Sequence, residues 1–469
     1  MAARKGDFSQ GKVSRNILRL GLPMMLAELV HVLYNIVDRM YIGHMPEDGT
    51  VALTGLGICF PLITLIGAFA NLCSTGGATL ATIARGESRD DRAERIMGTA
   101  FTMLLLIGVA LSVGLYVSAP VVLRLLGGDD VTLPAALGYF RIYVLGTVPV
   151  LISLGMNAFI NAQGFPRIGM MTVILGAALN IVLDPLLIYT FGMGIRGAAL
   201  ATVISQVVSA LWVLFFLRSR RAVLRLTRLV IDREQLKNIV KLGLTGFTFK
   251  VTNSLTQALV NIMLKAWGGA LSTLYVGAMS LINSIREIVS LPNNGIVAGG
   301  QNVMSYNYGA KEYRRVSESI RFIFLCGLSI NIAMWALIMF APGPLIGVFT
   351  SDGQLINKTI ECARIYFGAF PFMALQLTGQ STFVALNRPA YALIFSTLRK
   401  VVLVAPLTLL LPGLGLGVNG VFWAELISQV AGATACFITM YLLIWKKMKY
   451  HDAAADGEQP GTAEGPDEL

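Results

Sequence analysis

Long apolar stretches constrain this chain more than any other feature. Of its 469 residues, 55% are hydrophobic and only 13% are charged, whereas a soluble protein carries roughly a quarter of its residues as Asp, Glu, Lys and Arg. A membrane-spanning helix needs about 20 mostly apolar residues, and the chain offers twelve such stretches. They lie at about 16–43, 52–83, 97–119, 134–162, 168–190, 197–217, 237–265, 271–305, 317–341, 357–386, 391–411 and 419–445. Because membrane strands would instead need short segments of alternating polarity, the sequence predicts an all-α integral membrane protein with twelve transmembrane helices.

The positions of Lys and Arg predict the orientation of these helices. Basic residues cluster before the first stretch, between the second and third, in the centre of the chain, and after the eighth and twelfth stretches. The intervening connections contain few of them. Under the positive-inside rule both termini are expected on the cytoplasmic side of the membrane. The formal net charge of +11 could also indicate a nucleic-acid-binding protein. Because the basic residues occur in every second connection between spans, the orientation in the membrane explains the charge better. No nucleic-acid partner is expected.

The two halves of the sequence are copies of each other. RNILRLGL at 15–22 recurs as KNIVKLGL at 237–244, and from there on equivalent residues are 223 positions apart. Further equivalent pairs are Gly76–Gly77 with Gly299–Gly300, Gly86 with Gly309, residues 141–143 with 364–366, and Pro166 with Pro389. Since each copy holds six spans, both copies begin on the same side of the membrane. The repeat is therefore predicted to be parallel, with a pseudo-two-fold axis along the membrane normal.

The repeat sets the predicted domain organisation. We expect an N-lobe at 1–217, a cytoplasmic linker at 218–236, a C-lobe at 237–447 and an acidic disordered tail at 448–469. The final stretch DAAADGEQPGTAEGPDEL has no Lys or Arg and little apolar content that could pack. Two duplicated six-helix lobes with a cleft between them favour an alternating-access transporter.

Two of the acidic residues inside apolar stretches lie among residues that could share a proton. Asp38 occurs in YNIVDRMYIG and Asp184 in LNIVLDPLLIY, and an intramembrane carboxylate is costly enough to be a functional-site hypothesis by default. Asn180 shares a helical face with Asp184, and Pro185 removes a backbone hydrogen bond and bends the helix beside the carboxylate. If the two carboxyl groups meet, burial and mutual repulsion disfavour two charges, so the pair could load and release protons. The alternative is structural: Asp38 would pair with Arg39 or cap a helix, and Asp184-Pro185 would mark a turn.

Several short motifs, in their order along the chain and together with the two-copy organisation, indicate the family that this chain resembles. They are LGLPMM, VDRMYIG, NAQGFPR, the N-x-x-x-D-P of the fifth span and GAALATVISQ. The chain resembles the multidrug and toxic compound extrusion (MATE) family, within it the branch of bacterial MepA-like exporters. The resemblance implies efflux of bulky, mostly cationic and aromatic drugs, driven by protons or sodium ions, with no other cofactor. It also implies an N-lobe coupling site at Asp38, Asn180, Asp184 and Thr202, which could hold a sodium ion, with Tyr139 as a neighbour.

The second copy has lost this site and carries different charges. Asp184 corresponds to Leu407, Asn180 to Leu403 and Thr202 to Glu425. The charges within the second copy's spans include Lys250, Arg286, Glu287, Arg399, Lys400 and Glu425. One interpretation is an ion-pair network lining a substrate cleft, with Glu28, Glu287, Lys250 and Arg399 as candidate substrate contacts. The other is a structural salt bridge within the lobe.

Three classes of function were weighed. The first is a cation-coupled antiporter that exports drugs by alternating access, acts as a monomer and contacts membrane lipid. The second is a lipid-linked oligosaccharide flippase of the same superfamily, which should line its cleft with Lys and Arg from both lobes, whereas the first lobe offers Glu28, Asp38 and Asp184. The third is an enzyme, which is not expected because no nucleophile, metal or cofactor constellation is evident.

Overall fold

The computed structural model describes residues 7–45, 49–227, 229–350 and 352–448. These residues form helices joined by short connections, with no strand among them. The α-helices are α1 (Val13–Gly43), α2 (Gly49–Cys73), α3 (Thr79–Gly86), α4 (Asp90–Leu125), α5 (Leu133–Leu145), α6 (Thr147–Ala162), α7 (Pro166–Pro185), α8 (Ile195–Arg218), α9 (Arg233–Trp267), α10 (Ser272–Gly309), α11 (Tyr313–Phe340), α12 (Pro342–Gly347), α13 (Gly353–Tyr366), α14 (Met373–Ala385), α15 (Pro389–Thr397), α16 (Ala405–Leu410) and α17 (Asn419–Met440). Apart from Met448, the predicted disordered tail at 448–469 lies outside the described residues.

The helices confirm an all-α protein of the multi-pass membrane class. Within the described ranges, eight helical segments are long and apolar enough to cross a membrane, and a ninth is formed if α5 and α6, bent by 57° at Gly146, count as one broken span. The three remaining predicted spans, 237–265, 271–305 and 357–386, coincide with α9, α10 and the α13–α14 pair. Of these, α13 and α14 have 14 and 13 residues, so neither is long enough to cross a membrane alone.

Contacts divide the chain into two compact units. The first unit contains Pro23–Lys250, and the second unit contains Phe8–Leu22 together with the described residues from Val251 onward. Helices α1 and α9 are therefore each divided: the start of α1 belongs to the second unit, and the start of α9 belongs to the first. The lobes expected at 1–217 and 237–447 stay a prediction. Between them, residues 219–227 and 229–232 are irregular.

Glycines make the packing of these helix starts possible. In the second unit, a methyl group added at Gly299 of α10 would lie 2.7 Å from the backbone nitrogen of Gly21 on α1. In the first unit, a methyl group at Gly76 would lie 2.9 Å from the backbone nitrogen of Gly243 on α9. Equivalent glycines of the repeat thus carry the same close helix contact in each unit.

The backbone repeats in detail along the two halves. Helices α3 and α10 end at the equivalent residues Gly86 and Gly309, and α7 and α15 begin at Pro166 and Pro389. Two positions after each of those helix ends, Ser88 and Lys311 both adopt the left-handed conformation, with φ of 59° and 60°. Because non-glycine residues rarely adopt that conformation, the shared turn supports the duplication that the 223-residue offset predicted.

A single methyl group at Gly299 is expected to destabilise the second unit. The Gly299→Ala variant should lose about 1–3 kcal/mol of unfolding free energy, the usual effect of overpacking, because the methyl would meet rigid backbone of α1. The matched control is Gly57→Ala in α2, where nothing lies within 4 Å and Ala should be neutral or stabilising by roughly 0.5–1 kcal/mol. Thermal unfolding of the detergent-solubilised protein measures both. Equal midpoints for the two variants would refute the close contact.

Candidate functional site

The two predicted carboxylates meet in the first unit. Asp184, near the end of α7, is fully buried, and Asp38, on α1, is buried at 9% exposure. The two carboxyl groups lie within hydrogen-bonding reach of each other. The Asn180 Nδ2 donates a hydrogen bond of 3.1 Å to Asp184 Oδ1, as their spacing of one helical turn predicts.

Three buried oxygens of this cluster have no protein donor. Asp38 Oδ1, Asn180 Oδ1 and Asp184 Oδ2 make no hydrogen bond with any described residue. Buried polar atoms are normally satisfied, and an isolated buried charge is unstable. Two carboxyl groups and an amide oxygen suit a shared proton, or a small cation that prefers oxygen ligands. Among the described residues there is no group of three or more His, Cys, Asp or Glu side chains suited to a metal ion.

Tyr139 and Thr202 complete the predicted set. Tyr139 of α5 is buried, and its hydroxyl is within hydrogen-bonding reach of Thr202 on α8 and close enough to Asp38 for a Coulombic interaction. The Thr202 hydroxyl also donates to the Ala198 carbonyl oxygen at 3.0 Å. Helices α1, α5, α7 and α8 therefore each contribute to one polar cluster.

Two further tyrosines belong to the cluster, and sequence reasoning missed them as site residues. Tyr34 of α1 is close enough to both Asp38 and Asp184 for Coulombic interactions. Tyr143 stacks on Tyr139, with ring centroids 5.9 Å apart and planes inclined by 16°. The signal was present in the spacing, because Tyr34 precedes Asp38 by four residues and Tyr143 follows Tyr139 by four, which places each pair on one helical face.

The helix that carries Asp184 changes type at Pro185, and the bend expected there stays a prediction. Helix α7 ends at Pro185, and Leu186–Thr190 continue as a π-helical turn, an irregularity that is frequent at functional sites. Helix α8 packs closely beside that turn, because a methyl group at Gly197 would lie 2.8 Å from the Leu187 carbonyl group. This close approach packs α8, the helix that carries Thr202, against the end of the helix that carries Asp184.

The neighbouring Arg39 points toward an aromatic ring. Its guanidinium lies 5.4 Å from the centroid of the Phe60 ring. Consecutive residues of a helix do not face each other, and Arg39 acts on Asp38 only through a Coulombic interaction. The geometry therefore favours the functional interpretation of Asp38 over the structural alternative of an Asp38–Arg39 ion pair.

The second unit holds a separate charge cluster around Glu425. On α17, Glu425 Oε1 accepts hydrogen bonds from Arg399 Nη2 at 3.2 Å and from Lys400 Nζ at 3.4 Å, and Oε2 also accepts from Lys400 at 3.4 Å. Arg399 and Lys400 belong to the π-helical segment Leu398–Val404. A π-helix has more residues per turn than an α-helix, so consecutive side chains diverge less and both can reach one carboxylate.

The other candidate substrate contacts occupy different positions. Glu28 and Lys250 are exposed side chains of the first unit that are close enough for a Coulombic interaction. Glu287 is exposed in the second unit, beside Arg286. Of the four residues predicted for substrate, only Arg399 joins the Glu425 cluster.

The fold and the site together define a multi-pass helical membrane protein with a buried carboxyl pair in one of two duplicated units. The MatE family profile matches residues 23–186 and 251–410, and the chain belongs to this family. The membership expected from the motifs is thereby confirmed.

Curated relatives and solved structures agree with this membership. The multidrug export protein MepA of Staphylococcus saprophyticus is 24% identical over 441 residues, which cover 93% of this chain and 95% of the relative. MepA of Staphylococcus aureus is also 24% identical over 441 residues, with the same coverage. A multidrug resistance MATE family transporter in an outward-facing conformation is 22% identical with a TM-score of 0.88, over 96% of this chain and all of that one. A MOP superfamily transporter from Pyrococcus furiosus has a TM-score of 0.87 at 23% identity, over 96% and 99% of the two chains. These structures share the fold.

Proposed function

We propose that the protein is a multidrug exporter that couples the outward movement of bulky, mostly cationic drugs to the inward movement of protons or sodium ions. The Asp38–Asp184 pair is the observation that carries the proposal, because buried acceptors without donors need a cation to neutralise them. The names of the curated relatives, multidrug export proteins, support transport over catalysis.

The coupling works through a difference between two states of the cluster. When both carboxylates are charged, their repulsion amounts to about 4 kcal/mol at a separation of about 4 Å and an effective dielectric constant of about 20. A proton or sodium ion removes this repulsion and supplies the partner that the free oxygens of Asp38, Asn180 and Asp184 need. Helices α1, α7 and α8 can then pack differently. A ligand that stabilises one packing over the other shifts the population between them, as alternating access requires.

The surroundings of the carboxyl pair favour export of cations over a flippase. A lipid-linked oligosaccharide flippase binds polyanionic headgroups and should place Lys and Arg in both units. The described residues at the core of the first cluster are two acids, an amide, a threonine and tyrosines. We propose that the protein acts as a monomer in the bacterial cell membrane, with both termini in the cytoplasm and lipid around its apolar helices.

Transport in proteoliposomes tests the function and identifies the driving ion. Vesicles that contain the purified protein should accumulate a cationic aromatic dye against its gradient when a pH gradient or a sodium gradient of the opposite direction is imposed. Accumulation with a pH gradient in sodium-free buffer would assign protons, and accumulation only with a sodium gradient would assign sodium. If neither gradient moves the dye above the level of protein-free vesicles, the proposed function is wrong.

A further inference from the structure

The second unit places more positive than negative charge in one cluster. Arg399 Nη2 lies 3.2 Å and Lys400 Nζ 3.4 Å from Glu425 Oε1, and the exposed fractions of the three side chains are 13%, 4% and 13%. Arg286 of α10 lies within Coulombic range of the same carboxylate. Because an arginine keeps its charge at any ordinary pH, Arg286 and Arg399 alone outnumber Glu425, whatever the charge of Lys400.

The other acid near the cluster does not neutralise this excess. Glu287 acts on Arg286 through a Coulombic interaction, but its side chain is exposed, so water and salt screen its charge. Of the described residues that line the space beside Arg286 and Lys400, Glu425 is the only acid. Since buried charges are normally paired, the cluster is short of one counter-charge.

The space beside these cations is small. Arg286, Lys400, Glu425 and Tyr366 line it, and they enclose about the volume of one water molecule. Arg286 Nη1 donates a hydrogen bond of 3.2 Å to the Tyr366 hydroxyl, and a hydroxyl that accepts still has its own proton to donate. Sulfate, phosphate and organic anions are larger than this space, whereas a chloride ion is about as large as a water molecule. The size of the space therefore selects a monatomic anion.

The remaining wall of this space is apolar. Val260, Met279 and Phe422 line it, and they belong to the hydrophobic core of the second unit. An ordered water molecule needs about two to four polar partners, and it brings no charge. A chloride ion is polarisable and can accept hydrogen bonds on one side while it contacts carbon atoms on the other. It therefore suits this wall and also supplies the missing charge.

The internal repeat indicates that the helices do not need these charges in order to pack. At the 223-residue offset, the counterparts of Arg286, Arg399 and Lys400 in the first unit are the neutral residues Ile63, Gly176 and Ala177. Glu425 corresponds to Thr202, a residue of the carboxyl cluster. The same region of the repeat therefore carries an excess of acid in the first unit and an excess of base in the second.

We propose that the second unit binds one chloride ion, held by the guanidinium group of Arg286, the ammonium group of Lys400 and the hydroxyl of Tyr366. The ion supplies the counter-charge that Glu425 cannot give to both arginines. Its binding is independent of the drug and of the ion that drives export, so the inference goes beyond the proposed exporter function. Because the ion binds the folded protein, chloride above its dissociation constant should stabilise the protein in proportion to the logarithm of the chloride concentration.

Thermal unfolding of the full-length protein in detergent tests the proposal. Potassium chloride replaces potassium gluconate stepwise at constant ionic strength, so that the screening of surface charges stays the same. The potassium salts keep sodium, a candidate ligand of the Asp38–Asp184 pair, out of the experiment. The unfolding temperature of the wild type should rise with the logarithm of the chloride concentration.

Two substitutions at Arg286 and one control locate the ion. In Arg286→Gln, the apparent dissociation constant of chloride should rise at least tenfold, because the guanidinium group that holds the ion is gone. Arg286→Lys retains the positive charge and should keep most of the chloride response. The matched control is Arg124→Gln, which removes an exposed arginine paired with Asp130 and should respond to chloride as the wild type does.

Three results would overturn the proposal. Equal unfolding temperatures of the wild type in chloride and gluconate would show that no chloride ion binds, and this comparison needs no variant. An equal chloride response of the wild type and Arg286→Gln would place the ion elsewhere in the protein. An equal response to chloride and to sulfate would show a general salt effect. A protein that moves the cationic dye without responding to chloride refutes only this inference, and one that responds to chloride but moves no dye refutes only the exporter function.

Discussion

The Asp184→Asn variant is expected to lose ion-coupled dye accumulation down to the level of protein-free vesicles. The amide keeps the size of the side chain but cannot take up a proton or neutralise a sodium ion, so the repulsion between the carboxylates of Asp38 and Asp184 is absent from both states. A repulsion of about 4 kcal/mol corresponds to about a thousandfold change in the ratio of the states. Accumulation under an imposed ion gradient in proteoliposomes measures the loss, and Asp38→Asn should behave in the same way.

The matched control for this experiment is Asp130→Asn. Asp130 is an exposed acid in the loop after α4, where it accepts a 2.7 Å ion-pair hydrogen bond from Arg124, and exposed pairs of this kind contribute about 0–1 kcal/mol. Its transport should equal that of the wild type. Binding of the dye to Asp184→Asn should persist in part, since the change removes coupling and leaves the apolar surfaces intact. Wild-type accumulation by Asp184→Asn would place the coupling ion elsewhere.

The residues of the first cluster could be predicted from the sequence, but the contact between Asp38 and Asp184 could be predicted only in part. Helical periodicity alone places Asn180 beside Asp184, and the observed hydrogen bond of 3.1 Å follows from it. The meeting of Asp38 with Asp184 joins α1 to α7, and such a contact depends on tertiary packing that periodicity does not encode. The family resemblance supplied it. Tyr34 and Tyr143 were missed because aromatic residues at helical spacing are common in any apolar core.

The convergence of Arg399 and Lys400 on Glu425 could not be read from the sequence. Consecutive residues of an α-helix diverge by about 100°, so α-helical geometry predicts that only one of the two reaches a given carboxylate. The π-helical segment that contains them removes this restriction. The sequence LRKVVLV does not predict a π-helix. The only local irregularity that the sequence predicts is at Pro406, which has no backbone N–H to donate to the carbonyl oxygen four residues earlier.

The duplication was evident from the sequence. The sequence did not show that the start of α1 belongs to the second unit and the start of α9 to the first. The offset shows which residues are equivalent, but it does not show which copy each segment packs against. RNILRLGL and KNIVKLGL are nearly the same sequence, and each brings one glycine to a partner glycine, Gly21 to Gly299 and Gly243 to Gly76. Since either segment suits either partner, pattern alone leaves two pairings, and the observed one depends on how the long helices α1 and α9 run.

The Glu425→Gln variant is expected to destabilise the second unit by about 3–5 kcal/mol, the usual effect of removing one partner from a buried ion pair. Without the carboxylate, Arg399, Lys400 and Arg286 repel one another with no fixed counter-charge. The control is Glu361→Gln, which removes the half-exposed carboxylate partner of Lys358 and should change the unfolding free energy by about 0–1 kcal/mol. Chemical unfolding in detergent measures both changes.

A double-mutant cycle separates this ion pair from a general effect of the substitution. If Glu425 mainly neutralises its neighbours, adding Lys400→Met to Glu425→Gln should restore part of the lost stability, because one of the unpaired cations is removed and Met retains the apolar stem. Equal destabilisation by Glu425→Gln and Glu361→Gln would show that the stability of the second unit does not depend on the carboxylate that Arg399 and Lys400 share.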